Sequence, residues 1–434
     1  MKIAILGFGT EGKALAKYFK RRKAEITVFD QNQKVKIPEP FKGVTGPNAF
    51  TNIKGFDAVF KSPGIPPDRV GEVKNLTSLT QFFMANCPCP IIAVTGTKGK
   101  GTTSTLIYEI LKTAGHDAYL GGNIGIPPIE FLSKLKKSSV VVLEISSFQA
   151  QSLTLSPHIA VVLMTTSDHM DYHPNIEDYL NAKAQLIKHQ AINDFIVANA
   201  DYPHALKIAK QSSGTLLTVS TQKNVAKGAQ LNRGKLVTKQ DGTTHSLMSA
   251  KDVGLIGPHN LENILPAMVV AGLMDVDPKT IAHVIKNFMG LPHRLEFVKT
   301  LKGADYYNDS FSVNPEAAMA GIRAFKKPIH LIAGGYERFA NFTEWAKVCL
   351  AQKNLKTIIF MGNQSAVRMF EELKKHPLRK DLQILRLLNL REAMIAAKTY
   401  AKKGDIVLFS PGCPSFDEFK NYKERGETFK SLIQ

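Results

Sequence analysis

Ile91-Ile92-Ala93-Val94-Thr95-Gly96-Thr97-Lys98-Gly99-Lys100-Gly101-Thr102-Thr103 sets four apolar residues directly before a glycine-rich turn. A short unbroken apolar run bounded by glycine reads as a buried parallel strand, and the residues to about Thr113 read as a helix. In a strand–turn–helix of this kind glycines let backbone N–H groups wrap a phosphate chain. Lys100 would supply a point charge for the terminal phosphates, and Thr102 or Thr103 a hydroxyl for phosphate or metal. Two residues separate Gly96 from Gly99, so the spacing is not the usual P-loop one. The bland alternative is a tight turn with incidental lysines.

Upstream, Lys2 to Leu6 forms a second strand ahead of Gly7-Phe8-Gly9-Thr10-Glu11-Gly12 and a helical run to about Lys20. A strand at Ile26 to Phe29 follows and ends in Asp30, where a ribose ligand sits in dinucleotide folds. This G-x-G-x-x-G is compatible with a nicotinamide cofactor, a UDP-sugar or an empty turn. Ala58-Val59-Phe60 leads into Ser62-Pro63-Gly64, a rigid loop at a strand's carboxyl end. Cys87-Pro88-Cys89-Pro90 reads as a linker. Downstream come strands at Val140 to Ile145, Ile159 to Met164 and Phe195 to Ala198, then, past Gly290-Leu291-Pro292, at Ile329 to Ala333, Ile358 to Met361 and Ile406 to Phe409. The expected fold is α/β in three domains, 1–89, 90–290 and 291–434.

The 434 residues are 44% hydrophobic and 21% charged, ordinary for a globular chain, and no apolar run is long enough to span a membrane. The start lacks a signal-peptide pattern, which leads us to expect a cytoplasmic protein. Cys87, Cys89, Cys349 and Cys413 have no spacing that completes a zinc site. The net charge of +19 is spread along the chain, and no nucleic-acid-binding module is recognisable, so nucleic acid is not an expected partner.

From the phosphate loop onward the chain resembles the Mur ligase and folylpolyglutamate synthase superfamily, whose short ATP loop reads G-T-x-G-K. Glu144-Ile145-Ser146-Ser147-Phe148-Gln149 and Ser167-Asp168-His169-Met170-Asp171 are similar to segments of the D-glutamate-adding Mur ligases. Gly121-Gly122-Asn123-Ile124-Gly125, Gly257-Pro258-His259-Asn260-Leu261-Glu262-Asn263, Gly290-Leu291-Pro292-His293-Arg294, Asn308-Asp309-Ser310 and Ser410-Pro411-Gly412-Cys413-Pro414-Ser415-Phe416-Asp417 match further family motifs in order.

The resemblance implies a Rossmann-like UDP-binding domain, a central ATP-binding domain and a Rossmann-like amino-acid-binding domain. It implies ATP and two Mg²⁺ ions, with UDP-N-acetylmuramoyl-L-alanine and D-glutamate as substrates of an enzyme acting as a monomer. ATP would contact Gly96, Thr97, Lys98, Gly99, Lys100, Gly101, Thr102, Thr103, Asn260, Asn263, Arg294 and Asp309. Thr102, Glu144, His169 and a carbamylated Lys183 would hold the metal, although by sequence alone Lys183 is an ordinary surface lysine. Gly9, Thr10, Asp30, Ser62, Pro63, Gly64, Asn123 and His169 would face the UDP-substrate, and Arg338, Ser415, Phe416 and Tyr422 the amino acid. Lys100, His169, Lys183 and Arg294 would carry catalysis, the arginine swinging onto the γ-phosphate.

Two departures stand out. Lys100-Gly101-Thr102 has the order more usual in folylpolyglutamate synthases, the alternative assignment. The N/D-D-S-K-A-T pattern of the amino-acid pocket reads Asn308-Asp309-Ser310-Phe311-Ser312-Val313, and Arg338 stands where the family has a lysine, so a related ligase using another amino acid stays open. Arginine can still pair bidentately with a carboxylate.

Overall fold

The apolar runs become the central strands of three sheets in a computed structural model that describes residues 1–240, 242–362 and 364–433. The first sheet is β1 (Lys2–Leu6), β2 (Glu25–Asp30), β3 (Lys42–Thr45), β4 (Ala58–Lys61) and β5 (Leu76–Thr77), in the order β3-β2-β1-β4-β5 and parallel throughout. Gly7 turns the chain at a φ of +87°. A Cβ on Gly12 would stand 2.1 Å from the Gly7 carbonyl oxygen, so only glycine lets the helix Thr10–Lys20 lie this close to β1.

The second sheet takes β6 (Ile91–Thr95), β7 (Asp117–Gly122), β8 (Ser139–Glu144), β9 (Ile159–Val162), β10 (Phe195–Asn199), β11 (Thr215–Ser220), β12 (Gly228–Asn232), β13 (Lys235–Gln240) and β14 (Thr243–Ser249). Their order is β14-β13-β12-β11-β10-β9-β6-β8-β7, parallel except for the antiparallel pairs β12–β13 and β13–β14. β6 is central and fully buried, flanked by β8 and β9. One apolar core joins the first two sheets, running from Ile3 and Ile5 through Phe83 and Phe131 to Val141 and Ile145, with Phe83 edge-on to Phe131 at 5.6 Å. Both sheets belong to one compact unit, Met1–Asp252 with His259–Lys286.

The other unit, Val253–Pro258 with Asn287–Gln434, is built on β15 (Glu296–Leu301), β16 (Ala304–Asn308), β17 (Ile329–Ala333), β18 (Leu355–Met361), β19 (Gln383–Leu387) and β20 (Ile406–Phe409), in the order β15-β16-β20-β17-β18-β19. Period-two alternation sends Leu331, Ile358, Phe360 and Leu408 to one core and Ile332, Ile359, Val407 and Phe409 to the other, so helices cover both faces. Strands read from apolar runs agree with the structure to within a residue or two at most ends, though β18 begins at Leu355. The edge strands β3 and β15 lack such runs because most of their residues face water. Among the described residues no helix is long and apolar enough to cross a membrane.

Candidate active site

The phosphate loop closes β6 onto the helix Lys100–Thr113. Gly96 and Gly99 have φ of +147° and +88°. A Cβ on Gly96 would lie 2.8 Å from the Leu163 Cβ, and one on Gly99 2.1 Å from Asn263 Oδ1, so both positions demand glycine for space as well as conformation. The Lys100 ammonium folds back over the loop and donates to the carbonyls of Gly96 (3.0 Å) and Thr97 (3.1 Å). The Thr97 hydroxyl donates to Thr166 O (3.0 Å) and shares a hydrogen bond with the Tyr179 hydroxyl (2.9 Å). Thr103 Oγ1 donates to Asn263 O at 3.1 Å, and Asn263 Nδ2 to Asn260 Oδ1 at 2.8 Å. Both asparagines therefore sit on the helix His259–Leu273 against the loop, on one face as their spacing implies.

Glu144 ends β8, paired in register with Val94 of β6. Its Oε1 accepts from Asn123 Nδ2 at 2.8 Å, and Asn123 N donates to the Glu144 carbonyl at 2.8 Å, so carboxylate and amide are fixed together. Lys183, read from sequence as a surface residue, is only 1% exposed. Its ammonium donates to Gly96 O at 2.9 Å, beneath the same loop. Burial, and then the charge of Lys100, hold its pKa well below the usual lysine range, against the smaller pull of Asp168 and Glu144.

His169 takes a φ of +55°, its N–H donating to Asp168 Oδ1 at 3.0 Å and its ring lying 4.8 Å from that of Phe148. Phe148 also contacts Tyr172 at 4.4 Å and stacks parallel to His173 at 5.7 Å. His173 is fully buried between Asp178 (2.7 Å) and the Ser147 hydroxyl (3.0 Å). This bolt ties the Asp168-His169 segment to the Ser146-Ser147-Phe148-Gln149 segment. Sequence reasoning passed over His173, Phe148 and Tyr172, although their place inside or beside quoted motifs was the available signal.

Gly9, Thr10, Asp30, Ser62, Pro63 and Gly64 lie at or just beyond the carboxyl ends of β1, β2 and β4, the ligand-binding edge of an open α/β sheet. Asp30 is engaged with its own surroundings, accepting from Phe8 N and Asn32 N, each at 2.8 Å. Tyr172 OH donates to Pro63 O at 3.2 Å, and Gln149 Nε2 to Glu11 Oε1 at 2.8 Å, so this edge is fastened to the His169 region. Burial raises the Glu11 pKa and lowers that of neighbouring Lys61, whose ammonium donates to Ile65 O at 2.6 Å. Neither residue stood out in the sequence.

In the C-terminal unit the Arg294 guanidinium lies over the Phe311 ring at 4.5 Å, and Tyr422 meets Phe311 edge-on at 4.9 Å. Asp309 is buried between Leu295 N (3.1 Å) and the Ser410 hydroxyl (2.7 Å), both donating to it. Burial pushes its carboxyl up to about 7 against the lowering effect of these bonds and of Arg294. Arg338 lies over Phe416 at 5.5 Å and lines a cavity of about 230 Å³ with Val313, Asn314, Tyr336, Cys413 and Pro414. Ser415 is buried immediately beyond Pro414, whereas Tyr422 belongs to the Phe311 side. Among the described residues no three His, Cys, Asp or Glu side chains gather as a ready metal cage.

Residues 94–271 match the Mur ligase middle domain and residues 293–413 the Mur ligase glutamate ligase domain. A UDP-N-acetylmuramoylalanine–D-glutamate ligase of Acetivibrio thermocellus is 37% identical over 451 residues, covering 100% of this chain and 96% of the relative. One from Clostridium acetobutylicum is 35% identical with the same coverage. Among solved structures, the UDP-N-acetylmuramate-alanine ligase of Thermotoga maritima aligns at a TM-score of 0.63 and 15% identity, covering 99% of this chain and 98% of that one. Escherichia coli FolC in complex with DHPP and ADP aligns at 0.58 and 17% identity, covering 82% of this chain and 91% of that one. Both solved structures share the fold, and the full-length relatives at 37% and 35% identity show that this chain belongs to the Mur ligase family.

Proposed function

We propose that this protein joins D-glutamate to UDP-N-acetylmuramoyl-L-alanine in the cytoplasm, hydrolysing ATP to ADP and phosphate through an acyl-phosphate. The observation that carries the reading is the placement of Lys100 and buried Lys183 on one glycine loop, beside a carboxylate pinned by Asn123, in a chain similar over its whole length to ligases of that name. The substrate carboxylate attacks the γ-phosphorus and ADP leaves. The amino group of D-glutamate then attacks the acyl carbon, forming the amide bond, and phosphate departs with the C–O bond while the nitrogen releases its proton.

Loop N–H groups hold the phosphate chain, and Lys100 exchanges its two carbonyl partners for the terminal phosphates. Asn123 and His169 orient the substrate carboxylate. Mg²⁺ binds through one or two carboxylates together with phosphate oxygens and waters, so buried Glu144 and the Thr102 hydroxyl fit it without a preformed cage. His169 and Lys183 would complete the set, and bound Mg²⁺ would neutralise the triphosphate. Lys183 is suited to carbamylation because burial lowers its pKa and so favours the neutral amine, the form that adds CO₂. Mass measurement of gently prepared, metal-bound active protein should find the added carboxylate, and an unmodified lysine would remove this part.

The Gly101-Thr102 order favours a folate-type ligase, but the complete first sheet ahead of the phosphate loop supports the Mur reading. Phosphate release should require ATP, UDP-muramoyl-alanine and an amino acid together. Strong turnover with another amino acid and none with D-glutamate would overturn the specificity, and no release with any pair would sink the ligase assignment.

A further inference from the structure

We infer that Arg425 is a positioning residue that sets the incoming amino acid's pocket by clamping strand-end loops of the C-terminal sheet; this rests on the ligase reading above. Arg425 lies in the helix Tyr422–Ser431 within Lys423-Glu424-Arg425-Gly426, a polar run that by composition belongs on a surface, yet its side chain is 0% exposed. Among the described residues no carboxylate bonds to its guanidinium. Nε donates to Ser310 Oγ (3.1 Å) and Nη2 to Ser310 O (2.8 Å), both on the loop after β16. Nη1 donates to Cys413 O (3.0 Å) and Pro414 O (2.9 Å), on the loop after β20. The loop after β17 presses on the same group, because a Cβ on Gly335 would stand 3.1 Å from Nη1 and 2.5 Å from Pro414 O.

Three loops thus converge on one planar cation. They carry Tyr336 and Arg338, Cys413 and Pro414, Ser415, and the Ser310-Phe311-Ser312-Val313 stretch that departs from the family pattern. A guanidinium can bond all three carbonyls and the hydroxyl at once through its fixed fork, whereas an ammonium reaches fewer of them in that plane. A buried cation held mainly by carbonyls is costly unless its geometry serves a purpose. Its reach to three loops supplies one.

The test compares Arg425→Gln, Arg425→Lys and Ser310→Ala with the parent, in the full chain. Phosphate release gives KM for D-glutamate, ATP and UDP-muramoyl-alanine, and hydroxylamine in place of the amino acid traps the acyl-phosphate as hydroxamate. A pocket displaced by about 1 Å loses on the order of tenfold or more. Arg425→Gln should therefore raise the D-glutamate KM at least about tenfold while leaving the other two KM values and hydroxamate formation within about twofold. Arg425→Lys should recover part of the loss, and Ser310→Ala should show a smaller rise of the same kind. A D-glutamate KM that stays put, or three KM values that rise together, overturns the inference. If the arginine variants do not fold, Ser310→Ala decides by the same criterion. Loss of parental phosphate release and hydroxamate would instead count against the ligase reading.

Discussion

Replacing Gly9 by alanine separates a pyrophosphate cradle from a bare turn. Gly9 caps the helix Thr10–Lys20 with φ −76° and ψ −158°, extended backbone that alanine adopts freely, and nothing lies within 4 Å of the Cβ it would gain. Folding stability should hold, or rise by about 0.4–1 kcal/mol through a less flexible unfolded chain. The new methyl occupies the space before the first-turn N–H groups, where a pyrophosphate would bind. Displacing one phosphate oxygen from a charge-assisted bond is worth about 1.5–3 kcal/mol, roughly a ten- to hundredfold change in binding. The UDP-muramoyl-alanine KM, measured by phosphate release at saturating ATP and D-glutamate, should rise by about that factor with the thermal transition unmoved. A KM within twofold of the parent would refute placement of the pyrophosphate on this loop.

Gly99→Ala adds about 1–2 kcal/mol of left-handed strain and drives a methyl toward Asn263 Oδ1, 2.1 Å from its ideal position, so the Asn260–Asn263 bond must yield. The ATP KM should rise at least about tenfold, and adding Asn263→Ala should recover part of it; strict additivity of the two losses would contradict the contact argument. Asp309 keeps a proton in the folded chain up to about pH 7, while the unfolded carboxyl loses it near 3.8. Stability therefore falls as pH rises through that window, by at most about 4 kcal/mol. Asp309→Asn, which keeps the shape without the charge, should melt higher than the parent at pH 8 and alike at pH 4; an equal difference at both would refute the buried-carboxyl account.

The order of motifs, the two glycine loops and the central strands were legible in the sequence, because β1, β6, β8, β17 and β20 are covered on both faces and must be apolar along their length. Lys100, Glu144 and Asn263 were legible too, since each lies within a few residues of a strand end or helix start that local pattern locates. The edge strands β3 and β15 were not, for half or more of their residues meet solvent and show no apolar run. Burial of Lys183 under the Gly96 carbonyl, the bolt between His173 and Ser147, and the clamp of Arg425 on three loops depend on contacts 11 to 115 residues apart. Sequence alone determined where the two glycine loops fall, because each is written in consecutive residues beside an apolar run. Tertiary structure decided which lysine is buried with a lowered pKa and which arginine is a hub, because desolvation and convergent carbonyls are properties of space, and neighbours in the chain do not record them.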